Sequence, residues 1–247
     1  MKGDSIHIDL NADLGEGMLH DEALMPYLSS CSIACGGHSG NQSSMREAVR
    51  LAKKYHVKVG AHPSFPDTSN FGRKIVTMSK AALTESVYEQ ITSFFSVCAS
   101  EEIKINHVKL HGALYNYAAK DALTATAVID AILATKERPI LYVPHNSILS
   151  EKAKNLLPIA FEAFIDRRYE LDLSLVPRGQ SNAVITNTDD AWNQLKSIVL
   201  DGEVATIDGQ KRPIKASTFC IHGDNPEALA ILRFIHEQVG THNIILK

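Results

Sequence analysis

The chain of 247 residues is 45% hydrophobic and 21% charged, which excludes a disordered or fibrous protein and leaves room for one large α/β domain. A formal charge of -3 gives nucleic acid or an acidic membrane no electrostatic reason to bind. No apolar run approaches the ~18–20 residues of a membrane helix, and the first residues carry no signal-peptide pattern, so the expectation is a cytoplasmic protein.

The first element is "IHIDLNADLG", residues 6–15. In a strand over 6–12, Ile6, Ile8, Leu10 and Ala12 share one face, and His7, Asp9, Asn11 and Asp13 alternate onto the other. Further strands are expected at 31–38, 57–62, 106–111, 139–144, 159–165 and 217–222. Helical patterns lie between them, at 42–56, 79–101, 119–135, 147–156, 189–201 and 226–239. Asn41 and Ser79 stand where helix caps belong, and Asn225, Pro226 and Glu227 give the last helix its N-terminal signature.

Strands and helices alternate with no linker, charge block or repeat, so residues 1–247 read as a single domain with a parallel sheet inside helices. A central strand of an open sheet is apolar on both faces. A barrel strand meets helices on one face and the barrel interior on the other. The polar second face of the first strand therefore predicts a TIM-like (β/α)7 barrel. "NHVKLHG" repeats the pattern, with His107, Lys109 and His111 opposite Val108 and Leu110.

Active sites of such barrels sit at the carboxyl ends of the strands. Here those ends hold Asn11 and Asp13, His38, His62, His111, His145, Asp166, and His222 with Asp224. Five of the seven strands finish in His, which points to convergence on one site; the bland alternative is that two or three of them are structural. "GAHPSFPDTSNFGR" is a stiff loop whose Phe65, Phe71 and Arg73 are placed to cover the mouth, and "DLSLVPRGQSNA" brings in Arg178. Arg73 and Arg178 are expected to grip a substrate carboxylate, because guanidinium binds carboxylate bidentately; solvated loop arginines are the alternative. No GxxxxGK[ST] occurs and no GxGxxG follows a strand, so no motif assigns nucleotide binding. Cys31, Cys35, Cys98 and Cys220 show neither disulfide nor zinc spacing and read as reduced thiols.

The blocks "IDLNADLGEG", "SIACGGHSGN", "GAHPSFPD" with "NFGR", "HVKLHGALYN", "DRRYELDLSLVPR" and "CIHGD" together resemble the LamB/YcsF family, the A subunit of the bacterial ATP-dependent 5-oxoprolinase. They run in order from residue 8 to residue 224. The resemblance implies a barrel of the glycoside hydrolase/deacetylase type and conversion of 5-oxo-L-proline to L-glutamate with hydrolysis of ATP, which arrives with Mg2+. It also implies partner subunits B and C, and it leaves open a homo-oligomer. The family pattern carries over onto Asp9, Asn11, Asp13, Glu16, His38, His62, Lys109, His111, Tyr115, Asn116, Asp166, Arg178, His222 and Asp224. The chain departs from it where the family usually shows Phe-His-Ala-Gly-Asp against Gly37, His38, Ser39, Gly40 and Asn41, and where the family has Pro against Leu110. Asn41 thus lacks the acid that a base or metal ligand there would need.

The catalytic set expected is Asp13, His38, His62, Lys109 and His111, with Asp9, Asn11, Glu16, Arg73, Asp166, Arg178, His222 and Asp224 binding substrate. A lactam resists hydrolysis, and ATP activates it by phosphorylating the carbonyl oxygen. Lys109 would bear the developing charge, and Asp13, His38, His62 or His111 would handle protons. Asp9 and Asp13 are the counter-charges expected for Lys109, whose replacement by Met is expected to reduce turnover rather than stability. Two other readings stay open: a metal-dependent amide or sugar deacetylase with His38, His62 and Asp13 as ligands, and a noncatalytic scaffold for subunits B and C.

Overall fold

The computed structural model describes residues 5–18 and 20–247. Seven parallel strands form the barrel: β1 (Ile6–Leu14), β2 (Ser30–Ala34), β3 (Lys58–His62), β4 (Ile105–Lys109), β5 (Ile140–Pro144), β6 (Ile159–Phe164) and β9 (Thr218–His222). Each pairs with the next, and β1 pairs with both β2 and β9, which closes the cylinder. The β7 (Glu203–Ala205) and β8 (Lys211–Pro213) strands form a small antiparallel hairpin outside it, and β10 (Ile244–Leu246) extends the sheet beside the start of β1. The crossovers carry α1 (Asp21–Leu24), α2 (Gln42–Tyr55), α3 (Lys80–Ser100), α4 (Gly112–Ala118), α5 (Ala122–Ala134), α6 (Ile148–Ala153), α7 (Thr188–Lys196) and α8 (Ala228–Val239). No helix among the described residues is long and apolar enough to cross a membrane.

The alternation read from the first strand holds. Leu10, Ala12 and Leu14 are wholly buried in the apolar core with α-helical residues such as Val49, Ile91 and Ile231, each large aliphatic side chain contributing about 1.5–3 kcal/mol. Asp9, Asn11 and Asp13 point the other way, into the barrel, where Asp9 is hydrogen-bonded by Ser30 and Thr218, and Asn11 by Lys109. Packing inside is tight. Gly60 on β3 lies against the ring of His107, which stacks on Tyr142 at 4.1 Å and meets Ser32 Oγ at 3.0 Å.

The strands sit where expected to within a few residues, except that β2 stops at Ala34 rather than 38, because Gly36 turns the chain with φ of 104°. Asn41 caps α2, accepting from the backbone N–H groups of Ser43 and Ser44, and Ser79 caps α3. The helix expected over 119–135 is α5, which Asp121 caps through Thr124 N at 2.7 Å, and a short helix absent from the sequence reading, α4, precedes it directly after His111. The last helix begins at Ala228, because Asn225 turns inward and donates to Asp166 and to the Ile185 carbonyl. The α7 helix ends at Lys196 and runs on as a π turn to Asp201. The β7–β8 hairpin and β10 have no counterpart in the sequence reading.

A Cβ at Gly60 would stand 2.3–2.5 Å from three atoms of the His107 ring. Gly60→Ala is expected to destabilise the fold by about 1–3 kcal/mol through overpacking. Gly240→Ala, which meets nothing within 4 Å, should change stability by less than about 0.5 kcal/mol. Urea unfolding of the two variants checks the contrast.

Candidate active site

Polar side chains stack along the barrel axis. At the lowest level Asp9 Oδ2 accepts from Ser30 Oγ at 2.7 Å and Thr218 Oγ1 at 2.8 Å. Above it, Asn11 donates to Glu162 Oε1 at 3.0 Å and Thr218 Oγ1 at 2.7 Å, and accepts from Lys109 Nζ at 3.1 Å. Both residues lie below the mouth cavity, fully committed to neighbours. Asp9 and Asn11, expected to bind substrate, are not among the residues that line this cavity and lie beneath it.

Lys109 is 1% exposed. Its ammonium stands 2.9 Å from Asp13 Oδ1 and 2.9 Å from Glu162 Oε1, and it also donates to Cys220 Sγ at 2.9 Å. The counter-charges are Asp13 and Glu162, not Asp9. Burial works against the charged amine, but Asp13 and Glu162 outweigh it and hold the Lys109 pKa well above its usual 10.5. Burial likewise disfavours the Asp13 carboxylate, yet His62 and Lys109 hold it well below 3.8.

Glu16, His38, His62 and His111 meet above this pair, with one ligand atom of each within 4.8 Å of the others. Glu16 Oε1 is 2.8 Å from His38 Nε2 and 3.2 Å from His111 Nδ1. Burial would raise the Glu16 pKa, but His111 and His38 beside it hold it far below 4.5. His38 is pushed down to about 4 by burial, against the pull of Glu16, so it is neutral at physiological pH and donates its Nε2–H to the carboxylate. Backbone carbonyls set the other two rings. His62 Nδ1 donates to Lys109 O at 2.8 Å, and His111 Nε2 donates to Phe71 O at 3.0 Å. Their remaining nitrogens face each other at 3.0 Å, a contact two lone pairs cannot make without a cation between them. Burial opposes a charge on His62, but Asp13, 3.4 Å away, raises its pKa above the usual 6.5.

The loop after β3 locks this cluster from above. Phe71 sets its ring edge-on to His38 and His111, with centroids at 5.2 and 5.5 Å. It adopts φ of 54°, a strained conformation for a bulky residue, in which its carbonyl reaches His111. Gly112, at φ of 52°, lets the start of α4 approach: a Cβ there would lie 2.7 Å from Gly72 O. Phe65, by contrast, is 1% exposed and belongs to the core.

A cavity of about 290 Å3 opens over Asp13, Glu16, Lys109 and His111, and Arg73, Arg167 and Arg178 line it. Arg73 Nη2 and Arg178 Nη1 each stand 2.8 Å from the same oxygen of Asp224. Arg167 is 5% exposed and donates to the Val176 and Ala183 carbonyls, with no carboxylate in ion-pair distance among the described residues. Two guanidiniums thus share one carboxylate and the third has none, an anion-binding wall. His222 lines the same cavity, stacked on Phe164, with its Nδ1 held by Asp166 Oδ1 at 3.0 Å. Asp166, expected to bind substrate, is fully buried, does not line the cavity and is bonded to His222 and Asn225, which it orients. His145 stays apart, lining a neighbouring cavity of about 230 Å3 with Lys120 and Asp172.

Glu162 and Arg167 are the site residues the sequence reading missed. Glu162 shares the polar face of "FEAFID" with Asp166, and Arg167 follows Asp166 directly; both signals were present.

The model of the LamB/YcsF family matches residues 8–247. The chain is 41% identical over 246 residues to the 5-oxoprolinase A subunit of Bordetella parapertussis, covering 97% of this chain and 98% of that one. It is 39% identical to the protein of the same name from Pyrococcus abyssi, covering 98% of each. The crystal structure of a lactam utilization protein from Thermus thermophilus superimposes with a TM-score of 0.91 at 35% identity, over 98% of this chain and 99% of that chain. A family 4 carbohydrate esterase from Streptomyces lividans shares the fold, with a TM-score of 0.50 at 10% identity, over 97% of this chain and 91% of that chain.

Two substitutions test the interior. Lys109→Met leaves Asp13 and Glu162 as neighbouring buried carboxylates and should destabilise by roughly 3–5 kcal/mol at neutral pH, in contrast to the sequence expectation; urea unfolding measures it. For Asp166, burial raises the carboxyl pKa, but His222 outweighs this and lowers it below 3.8. A depressed carboxyl stabilises fully above its unfolded value, and that contribution is lost as pH falls through the folded one. Asp166→Asn should therefore lose roughly 1–3 kcal/mol near neutrality, and the difference should shrink below pH 3.8. A pH-independent difference in unfolding free energy would refute this.

Proposed function

The chain belongs to the LamB/YcsF family, and on that footing we propose that it hydrolyses the lactam of 5-oxo-L-proline as the A subunit of an ATP-dependent 5-oxoprolinase. The observation that carries the reading is one cavity with a guanidinium wall beside a floor of Asp13, Glu16, Lys109 and His111. The wall suits the carboxylate of 5-oxoproline and directs its lactam group to the floor. Phosphorylation of the lactam oxygen at the expense of ATP makes its carbon the better electrophile, and the positive charge of Lys109 and the wall favours the anion that forms. Asp13, ionised at neutral pH, accepts the proton of an attacking water and passes it to the amide nitrogen as the C–N bond breaks, and the acyl phosphate that results is hydrolysed by a second water to glutamate and phosphate.

The cavity of about 290 Å3 is at the lower edge of the roughly 300–1,000 Å3 of small-molecule pockets. That size suits a small cyclic acid, and the sequence carries no glycine-rich phosphate loop. We therefore assign the nucleotide, with its Mg2+, to a surface completed by subunits B and C, and hydrolysis of the activated ring to this chain.

Glutamate formation from 5-oxoproline and ATP, measured for this chain with and without candidate partner subunits, tests the reading. Little turnover alone and full ATP-coupled turnover in the assembly are expected. ATP-independent amide or sugar deacetylation by the chain alone would replace the proposal with the deacetylase reading. In the assembly, Arg178→Ala should raise KM for 5-oxoproline by roughly 10–100-fold with a much smaller change in kcat, the pattern of lost substrate binding. An unchanged KM would remove the wall from carboxylate recognition.

A further inference from the structure

Glu16, His62 and His111 set three donor atoms around one point at the edge of the cavity. His62 Nε2 and His111 Nδ1 are 3.0 Å apart, His111 Nδ1 and Glu16 Oε1 3.2 Å, and His62 Nε2 and Glu16 Oε1 3.9 Å. Ligands bound at about 2.0–2.1 Å in a tetrahedral shell stand roughly 3.3 Å apart, so these separations are those of a coordination edge. The His62 and His111 rings meet at 86°, which allows one ion to lie in both ring planes. The opposite nitrogens are held as N–H by the carbonyls of Lys109 and Phe71, the arrangement that fixes a ligating imidazole and aims its lone pair.

We propose that Glu16, His62 and His111 form a binding site for one divalent transition-metal ion of the zinc class, seated between the two rings. Glu16 and His111 line the cavity, so the fourth coordination position faces it. Two imidazoles and a carboxylate select a borderline-soft ion over Mg2+, which prefers oxygen. His38 is not a ligand: its ring is stacked on His111 at 3.6 Å and 2°, so an ion in the His111 plane lies outside the His38 plane. Its bond to Glu16 Oε1 at 2.8 Å makes it the residue that orients the carboxylate. The nearby group of Asp13, Cys220 and His222 holds no ion, because the Lys109 ammonium lies 2.9 Å from both Asp13 and Cys220.

The test is direct binding, read without substrate, so it stands or falls independently of the 5-oxoproline assay. The whole chain, stripped with a chelator, is titrated with Co2+. One equivalent should bind with the visible ligand-field spectrum of a four-coordinate ion, be displaced by Zn2+ and persist in excess Mg2+. Glu16→Gln and His111→Gln should each weaken binding by at least ~100-fold, His38→Gln by about tenfold at unchanged stoichiometry, and the exposed His20→Ala not at all. Far-UV circular dichroism confirms that each variant is folded. Should the ligand variants unfold, X-ray absorption of the wild-type Zn2+ form decides, with two imidazoles and one carboxylate oxygen expected. Binding that survives Glu16→Gln and His111→Gln, binding lost with His20→Ala, a shell with fewer than two imidazoles, or no binding to the folded chain would each overturn the site.

Discussion

The ammonium of Lys109, 2.9 Å from the carboxylates of Asp13 and Glu162, is the charge against which the barrel interior is arranged. Removing an amine and two carboxylates from water is strongly unfavourable unless they compensate one another and their remaining atoms find partners. Asn11 supplies part of that compensation, bonding Lys109 with its oxygen and Glu162 and Thr218 with its nitrogen. Because the barrel closes by β1 pairing with β9, residues far apart in sequence share one level of the axis. A break in that closure would separate Asn11 from Cys220, and Asp13 from His222.

From this pair the charges propagate upward. Lys109 and His62 keep Asp13 ionised, Asp13 raises the pKa of His62, and His38 and His111 keep Glu16 ionised. The protonation states of the mouth are thus a consequence of one another, and the groups are held by four neighbouring strands, β1 to β4, and the segments that follow them. Two backbone carbonyls, those of Lys109 and Phe71, orient the rings so that their reactive nitrogens converge. The strained φ of Phe71 and the close approach of Gly72 and Gly112 show where the chain accepts an unfavourable backbone to obtain that convergence.

Floor and wall use charge in opposite ways. On the floor every charge has a counter-charge within 4 Å, so the network is rigid and suited to moving protons. On the wall Arg73 and Arg178 share Asp224, and Arg167 pairs with no carboxylate among the described residues, which leaves positive charge to be met by a ligand. A small anion with a reactive amide is the kind of molecule such a site orients.

Much of this was legible in the chain because it depends on period-two alternation. Asp9, Asn11 and Asp13 had to face away from Leu10 and Ala12, and a polar face opposite an apolar one distinguishes a barrel from an open sheet. The cap of α2 at Asn41 and the covering role of Phe71 followed from local chemistry in the same way. Other assignments required distances across the barrel. Sequence placed five histidines at strand ends, but only the register and the loop after β3 decided that His38, His62 and His111 meet, that His222 turns to Asp166, and that His145 faces another cavity. Glu162, rather than Asp9, became the partner of Lys109 for the same reason: alternation determines which face a side chain takes, whereas the height at which opposing strands bring their charges together is decided by closure and stagger of the whole cylinder.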